Sequence, residues 1–257
     1  MLFRKAFNEE RFLMRVMLFG GEVDEIRDEV SRHPGLEMIT ESPDVIVCYG
    51  GDGTLLAAEN RWPSIPKAPI KHSLRGNRCI AHAASEVLTR LERGELVRTE
   101  YIKLECVFKP RGASDAPRML TAMNEFSVHL ARINSAVRFT LWVDDEPYNS
   151  GREILGDGFV VSTPFGSTAY FNHITRGLFR SGIGIAFKST SEHTNHVVVG
   201  EDVAVRILIT RGPAILGYDN SRDYFDIGEG DELTIRKHAF PAVLLTWSAM
   251  KYPSDAF

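Results

Sequence analysis

Apolar residues run without interruption over Val16-Met17-Leu18-Phe19 and again over Val45-Ile46-Val47-Cys48-Tyr49, and each run stops at a pair of glycines, Gly20-Gly21 and Gly50-Gly51. Short unbroken apolar runs bounded by Gly and Pro predict strands covered on both faces. Between them Val23, Ile26 and Val30 recur at helical spacing within 22–32, until His33-Pro34-Gly35 ends the segment. A short strand is expected near 36–39. After Gly53 the run from Thr54 to Glu59 favours helix, so strand, helix, strand, strand, loop and helix follow in order, which predicts an α/β sheet. Residues 61–82, punctuated by Pro63, Pro66 and Pro69, are expected to be the least regular part. Val87, Leu88 and Leu91 share one face of a predicted helix over 85–93, which Gly94 terminates.

From Thr99 the period changes from helical to alternating. Runs rich in β-branched and aromatic residues at 102–108, 119–130, 137–143 and 159–161 are separated by turn residues such as Pro110, Gly112, Asn134 and Asn149-Ser150-Gly151. Further runs at 204–216, 232–237 and 242–247 continue the pattern. The expected architecture is an α/β nucleotide-binding domain over 13–98 followed by a β-rich domain over 99–237, with the boundary near Arg98. Residues 1–12 are expected to form a loose arm.

Composition narrows the class. A chain of 257 residues, 44% hydrophobic and 25% charged, has the balance of a globular protein with a substantial core. The formal charge of −4 and the scattered Lys and Arg argue against nucleic acid as a partner. No apolar run approaches 18 residues and the N-terminus lacks a signal-peptide core, so neither a membrane nor export is expected, and the cytoplasm is the expected compartment. Cys48, Cys79 and Cys106 are far apart and are read as reduced and buried. His193 and His196 lack further ligands at zinc spacing and read as part of a polar loop.

The chemistry concentrates in two stretches. In Gly50-Gly51-Asp52-Gly53-Thr54 the glycines let the backbone approach a ligand closely, and a helix start beyond them supplies free N–H groups for phosphate. Asp52 would repel phosphate and suits a proton acceptor for an attacking hydroxyl; the alternative is a helix cap. In Gly156-Asp157-Gly158-Phe159-Val160-Val161-Ser162-Thr163-Pro164-Phe165-Gly166-Ser167-Thr168-Ala169-Tyr170 a strand enters a hydroxyl-rich turn. Its hydroxyls suit ribose or diphosphate, and Tyr170 offers a ring for a base; the alternative is a ligand-free strand-to-helix corner.

The first block resembles the G-G-D-G-T segment shared by NAD kinases and by diacylglycerol and sphingosine kinases. The second resembles the S-T-P-T-G-S-T-A-Y block of the NAD kinase family, with Phe165 where Thr is usual. Met123-Asn124-Glu125 resembles the family's N-E pair, and Gly217-Tyr218-Asp219-Asn220 stands where the family has a substrate-contacting Asp on a hairpin. The resemblance implies transfer of a phosphoryl group from ATP or polyphosphate, with Mg²⁺, to the 2′-hydroxyl of the adenosine ribose of NAD. It implies Asp52 as general base and Gly50, Gly51, Gly53 and Thr54 around the donor phosphates. It also implies Asn124, Glu125, Asp157, Ser162, Thr163, Thr168, Ala169, Tyr170 and Asp219 around the dinucleotide. It further implies a homodimer or homotetramer, and a C-terminal run, 238–257, packing back on the first domain.

Two departures bear on substrate choice. The family's G-x-N-x-G-x-L-G-F segment is replaced by Pro69-Ile70-Lys71-His72-Ser73-Leu74-Arg75-Gly76-Asn77-Arg78-Cys79, whose Lys71, Arg75 and Arg78 either bind an extra phosphate or form a solvated basic loop. Beyond Tyr170 the family's Gly-Gly and P-H-S-L elements are absent. The alternatives to a NAD kinase are a G-G-D-G-T kinase acting on a lipid or other small alcohol, and a dinucleotide binder without catalysis.

Overall fold

The computed structural model describes residues 13–72, 78–112 and 116–248. The expected N-terminal arm, Arg75 and the chain beyond 248 lie outside the described residues. The chain divides into two compact units. Among the described residues, the first comprises 13–58, 65–98 and 244–248, and the second comprises 59–64 and 99–243.

The first unit opens with β1 (Met14–Phe19), α1 (Asp24–Ser31), β2 (Leu36–Met38), β3 (Val45–Gly50) and α2 (Asp52–Arg61), followed by β4 (Lys67–Lys71), α3 (Ala84–Glu92) and β5 (Val97–Tyr101). Strands β1, β2, β3 and β4 pair in parallel, with α1 between β1 and β2 and α2 between β3 and β4, and burial of such a sheet on both faces explains the continuous apolar runs. The sheet runs β2-β1-β3-β4, then the chain's last strand Ala242–Thr246, then β5. Ile26 and Val30 of α1 and Val87, Leu88 and Leu91 of α3 are buried in the same core as Val16, Val45 and Val47. Trp247 stacks on His82 at 3.7 Å between ring centroids, and the Arg90 guanidinium lies 3.7 Å from the Trp247 ring centre.

Strand β4 lies in the segment expected to be irregular. Its prolines hide it, yet they do it no harm. The Pro66 carbonyl accepts from Ile46 on β3, whereas the Pro69 carbonyl accepts from Ile80 on the other side. Pro69 therefore presents its missing N–H away from the β3 ladder, which loses nothing.

The second unit holds β6 (Leu104–Lys109), β7 (Arg118–Ala122), β8 (Glu125–Leu130), β9 (Val137–Val143), β10 (Glu146–Pro147), β11 (Ile154–Gly156) and β12 (Gly158–Ser162). It continues through the short helix α4 (Tyr170–Thr175), β13 (Ile183–Lys188), β14 (His196–Val199), β15 (Val205–Arg211), β16 (Ala214–Tyr218), β17 (Phe225–Ile227) and β18 (Glu232–Lys237), before β19 (Ala242–Thr246). Two antiparallel sheets result, β10-β9-β15-β18-β6-β7 with β11 beside β9, and β14-β13-β12-β8-β16-β17. Alternate residues of both sheets meet in one core, where Phe139 and Phe159 rings sit 4.7 Å apart. The run expected as one strand over 119–130 is two, because Met123 and Asn124 turn the chain from β7 into β8. A buried ion pair, Lys103 Nζ to Glu59 Oε1 at 2.7 Å, also belongs to this unit.

Gly158 shows how tightly β8 and β12 approach. Its φ is +126°, and a Cβ there would lie 2.0 Å from the Val128 carbonyl oxygen. Gly158→Ala is expected to lower the unfolding free energy by at least about 3 kcal/mol in urea titrations. Gly217→Ala on β16, where the nearest atom to a new Cβ is Ser127 Oγ at 3.7 Å, is expected to cost less than about 1 kcal/mol.

Candidate active site

The Gly50–Thr54 loop leaves the carboxyl end of β3, which lies inside the parallel sheet between β1 and β4. That edge is where open α/β sheets bind phosphates. Gly50 is required sterically, because a Cβ would fall 2.3 Å from Thr54 Oγ1. The helix begins at Asp52, two residues earlier than predicted, so Gly53 and Thr54 lie in its first turn, and the Thr54 and Leu55 N–H groups donate to the Gly51 carbonyl at 3.0 and 3.2 Å. Asp52 Oδ1 accepts the backbone N–H of Arg78 at 2.8 Å and faces the Cys79 thiol at 3.8 Å. Burial, with the Asp52 charge beside it, pushes the Cys79 thiol pKa far up, so Cys79 remains a protonated thiol. The carboxylate is thus anchored across to the segment that follows β4.

Of the basic residues in that segment, Lys71 and Arg78 are among the described residues. Arg78 is buried, and Lys71 is half-buried at the end of β4. His72 pairs with Glu22 through Nε2, lies 3.8 Å from Glu25 through Nδ1, and packs on Tyr49 at 4.6 Å.

In the second unit the sequence-predicted residues gather around the turn at Met123-Asn124-Glu125. The Asp219 carboxylate accepts the backbone N–H groups of Met123, Asn124 and Glu125 at 2.9, 2.7 and 3.3 Å. From the other side, Thr163 Oγ1 donates to the Met123 carbonyl at 2.7 Å, and the Thr163 N–H donates to the Asn124 carbonyl at 2.9 Å. Ser162 Oγ donates to the Asn124 and Thr163 carbonyls at 3.3 and 3.1 Å, and Ser167 Oγ to the carbonyls of Pro164 and Phe179. Ser162, Thr163 and Ser167 are fully buried. A hydroxyl has one proton to donate and keeps lone pairs to accept, and the protons of these three are directed at backbone carbonyls. They hold the turn. Asn124, Asp157, Thr168, Ala169 and Tyr170 are half-buried.

Burial sets the charge state here. Glu125 is 7% exposed and its Oε2 has no hydrogen-bond partner among the described residues. Burial and the neighbouring Asp219 push its pKa up to about 8, against the opposing pull of Lys188. Asp219 rises to about 6 because burial outweighs its three backbone hydrogen bonds.

Beside this turn lies a cavity of about 480 Å³ lined by His129, Asp157, Tyr170 and Lys188. Lys188 Nζ donates to the Val128 carbonyl at 2.6 Å and lies 4.8 Å from the Tyr170 ring centre. His129 stacks on Tyr170 at 5.5 Å. Burial and the Lys188 charge lower its pKa to about 4, so it is neutral at pH 7. Neither His129 nor Lys188 stands out in the sequence. Both close apolar strands with no local motif, and only the pairing of β8, β12 and β13 brings them to one place.

No family model matches the chain. Among curated proteins it is 26% identical over 229 residues to the NAD kinase of Nitrosospira multiformis, covering 86% of this chain and 74% of that one. The chain is a divergent homologue of the NAD kinases. Its fold is theirs as well. A crystal structure of yeast NADH kinase complexed with NADH superposes with a TM-score of 0.81 at 16% identity, covering 92% of this chain and 84% of that one. An NAD kinase from Archaeoglobus fulgidus in complex with ATP gives 0.70 at 22% identity, over 91% and 94%.

Departures from the NAD kinase pattern fill core. Phe165, where the family block has Thr, is 5% exposed and meets Tyr101 edge-on at 4.9 Å. Phe171 and Phe179, beyond the block, pack with Val160 and Ala186 in a small cluster of their own.

The buried Glu125 gives a pH prediction. Its folded-state pKa lies above the unfolded value, so the folded protein keeps a proton that the unfolded chain releases, and this group's contribution to stability falls as pH rises from about 4.3 to about 8. Gln has no such proton. Relative to the parent, Glu125→Gln is expected to gain roughly 1–3 kcal/mol in unfolding free energy between pH 5 and 8. Denaturant unfolding at pH 5, 6.5 and 8 measures it, and a pH-independent difference would count against a buried, proton-holding Glu125.

Proposed function

We propose that this protein transfers the terminal phosphoryl group of ATP to the 2′-hydroxyl of the adenosine ribose of a nicotinamide adenine dinucleotide, giving the 2′-phosphorylated dinucleotide and ADP. In this reading Gly50, Gly51, Gly53 and Thr54 cradle donor phosphates with backbone N–H groups at the start of α2. Asp52 orients the acceptor hydroxyl and takes its proton as the new P–O bond forms and the bond to ADP breaks. Mg²⁺ enters with ATP as part of the donor substrate. An ion held mainly by phosphate oxygens suits a loop that offers one carboxylate among backbone amides. Asn124, Thr168, Ala169, Tyr170 and Asp157 bind the dinucleotide, while Asp219, Ser162 and Thr163 keep the Asn124 turn in shape. We take the protein to work as a cytoplasmic homo-oligomer on the same analogy.

The observation that carries the reading is the anchoring of Asp52. Its carboxylate is fixed by the Arg78 N–H at 2.8 Å at the phosphate-binding edge of a parallel sheet whose fold is that of the NAD kinases. A positioned base needs such an anchor.

Asp52→Asn keeps the size and removes the proton acceptor. Turnover of NAD to NADP with ATP and Mg²⁺ is expected to fall roughly 10²–10⁴-fold with dinucleotide binding little changed. A coupled NADP assay beside calorimetry measures both. Near-normal turnover in the variant would sink the general-base role, and binding without turnover in the parent would identify a non-catalytic dinucleotide binder.

A further inference from the structure

Among the described residues, Lys188 is a buried lysine that the proposed chemistry leaves without a task. It closes β13, it is 7% exposed, and its ammonium spends one of three protons on the Val128 carbonyl at 2.6 Å. The ammonium also lies 4.8 Å from the Tyr170 ring centre, inside cation–π range, and forms part of the wall of the 480 Å³ cavity with Tyr170, His129 and Asp157. Tyr170 is meanwhile stacked by His129 with 12° between the ring planes. The cavity thus combines an aromatic face held in place by a cation, a charged donor with protons to spare, a carboxylate acceptor and a neutral imidazole. That is the complement of a flat heteroaromatic ring carrying lone-pair nitrogens, not of a second phosphate, which Asp157 would repel.

We propose that Lys188 is a specificity-determining residue of the dinucleotide site, holding Tyr170 in place and donating to a ring nitrogen of a base seated in the cavity. The inference rests on the dinucleotide reading above. The charged and titratable groups around the ammonium are Asp157 on the β11–β12 turn, Glu125 and His129 on β8, and Tyr170 at the start of α4. Burial lowers the Lys188 pKa to about 7, while Asp157 and Glu125 pull the other way, so the ammonium is lost as pH rises through neutrality.

The test compares the parent, Lys188→Arg and Lys188→Met. Calorimetric affinity for NAD, measured from pH 6 to 9, is expected to fall in the parent as pH rises through about 7. The step near pH 7 should be absent in both Lys188→Arg and Lys188→Met, with affinity about tenfold weaker at pH 6 in Lys188→Met; any change near pH 8 belongs to Glu125. A Lys188→Met protein that binds as tightly as the parent at pH 6, or an arginine variant with the parent's pH profile, overturns the proposal. A readout without ligand separates it from the reading it rests on. In protein carrying ¹³C-labelled tyrosine, the Tyr170 ring signal, identified with Tyr170→Phe, should titrate with a midpoint near pH 7 in the parent and not in Lys188→Met. If this titration is present while the parent binds no dinucleotide at millimolar concentration, the dinucleotide reading fails and the Lys188–Tyr170 unit stands. If dinucleotide binds but the titration and the affinity loss are both absent, the Lys188 proposal falls alone.

Discussion

A single carboxylate receiving three consecutive backbone N–H groups organises the second unit's part of the site. Met123 and Asn124 sit between β7 and β8 and Glu125 opens β8, and an unpaired buried amide there would cost about 1–3 kcal/mol. Asp219 satisfies all three at once from the end of β16, a position that requires its left-handed φ of 47°. The carbonyls of the same turn are met from the opposite direction by Thr163 and Ser162, so β16 and the 162–168 turn are both tied to β8. Three distant parts of the chain converge on three residues, and the half-buried Asn124 is presented as a consequence.

The same concentration of polar groups sets the electrostatics. Burial and the Asp219 charge raise the proton affinity of Glu125, burial raises that of Asp219, and the buried Lys188 opposes the rise at Glu125. A site with carboxyl groups held partly protonated and an amine held partly neutral can give and take hydrogen bonds with an uncharged ring without first stripping fixed charges of water. The first unit works differently. Its loop opens a helix at the end of a parallel strand, and its one carboxylate is fixed in orientation by the Arg78 amide.

The departures from the NAD kinase pattern have a physical sense in this light. Phe165 stands where the family block has Thr and is buried, and Phe171 and Phe179 beyond it pack into the β-rich unit, where Gly184 leaves space for their rings. Of the described residues that replace the glycine-rich segment, Arg78 is drawn inward and His72 is matched by Glu22 and Glu25.

Local order was legible in the chain itself wherever one period ran uninterrupted. The β1 and β3 runs, the faces of α1 and α3, the turn to β-rich alternation after Thr99 and the two glycine-bearing blocks all follow from residues within one or two turns of each other. Strand β4 was hidden because its prolines signal a break, and only the side on which Pro69 faces, decided by Ile80 and β3, makes them harmless. The roles inside the site were hidden for a similar reason. Ser162 and Thr163 read as open hydroxyls until the Met123-Asn124 carbonyls are seen to take their protons, and His129 and Lys188 carry no motif at all. A side chain's hydrogen-bonding capacity is written in its type, but whether that capacity is spent on the backbone or left for a ligand depends on neighbours tens of residues away, and those are set by strand pairing alone.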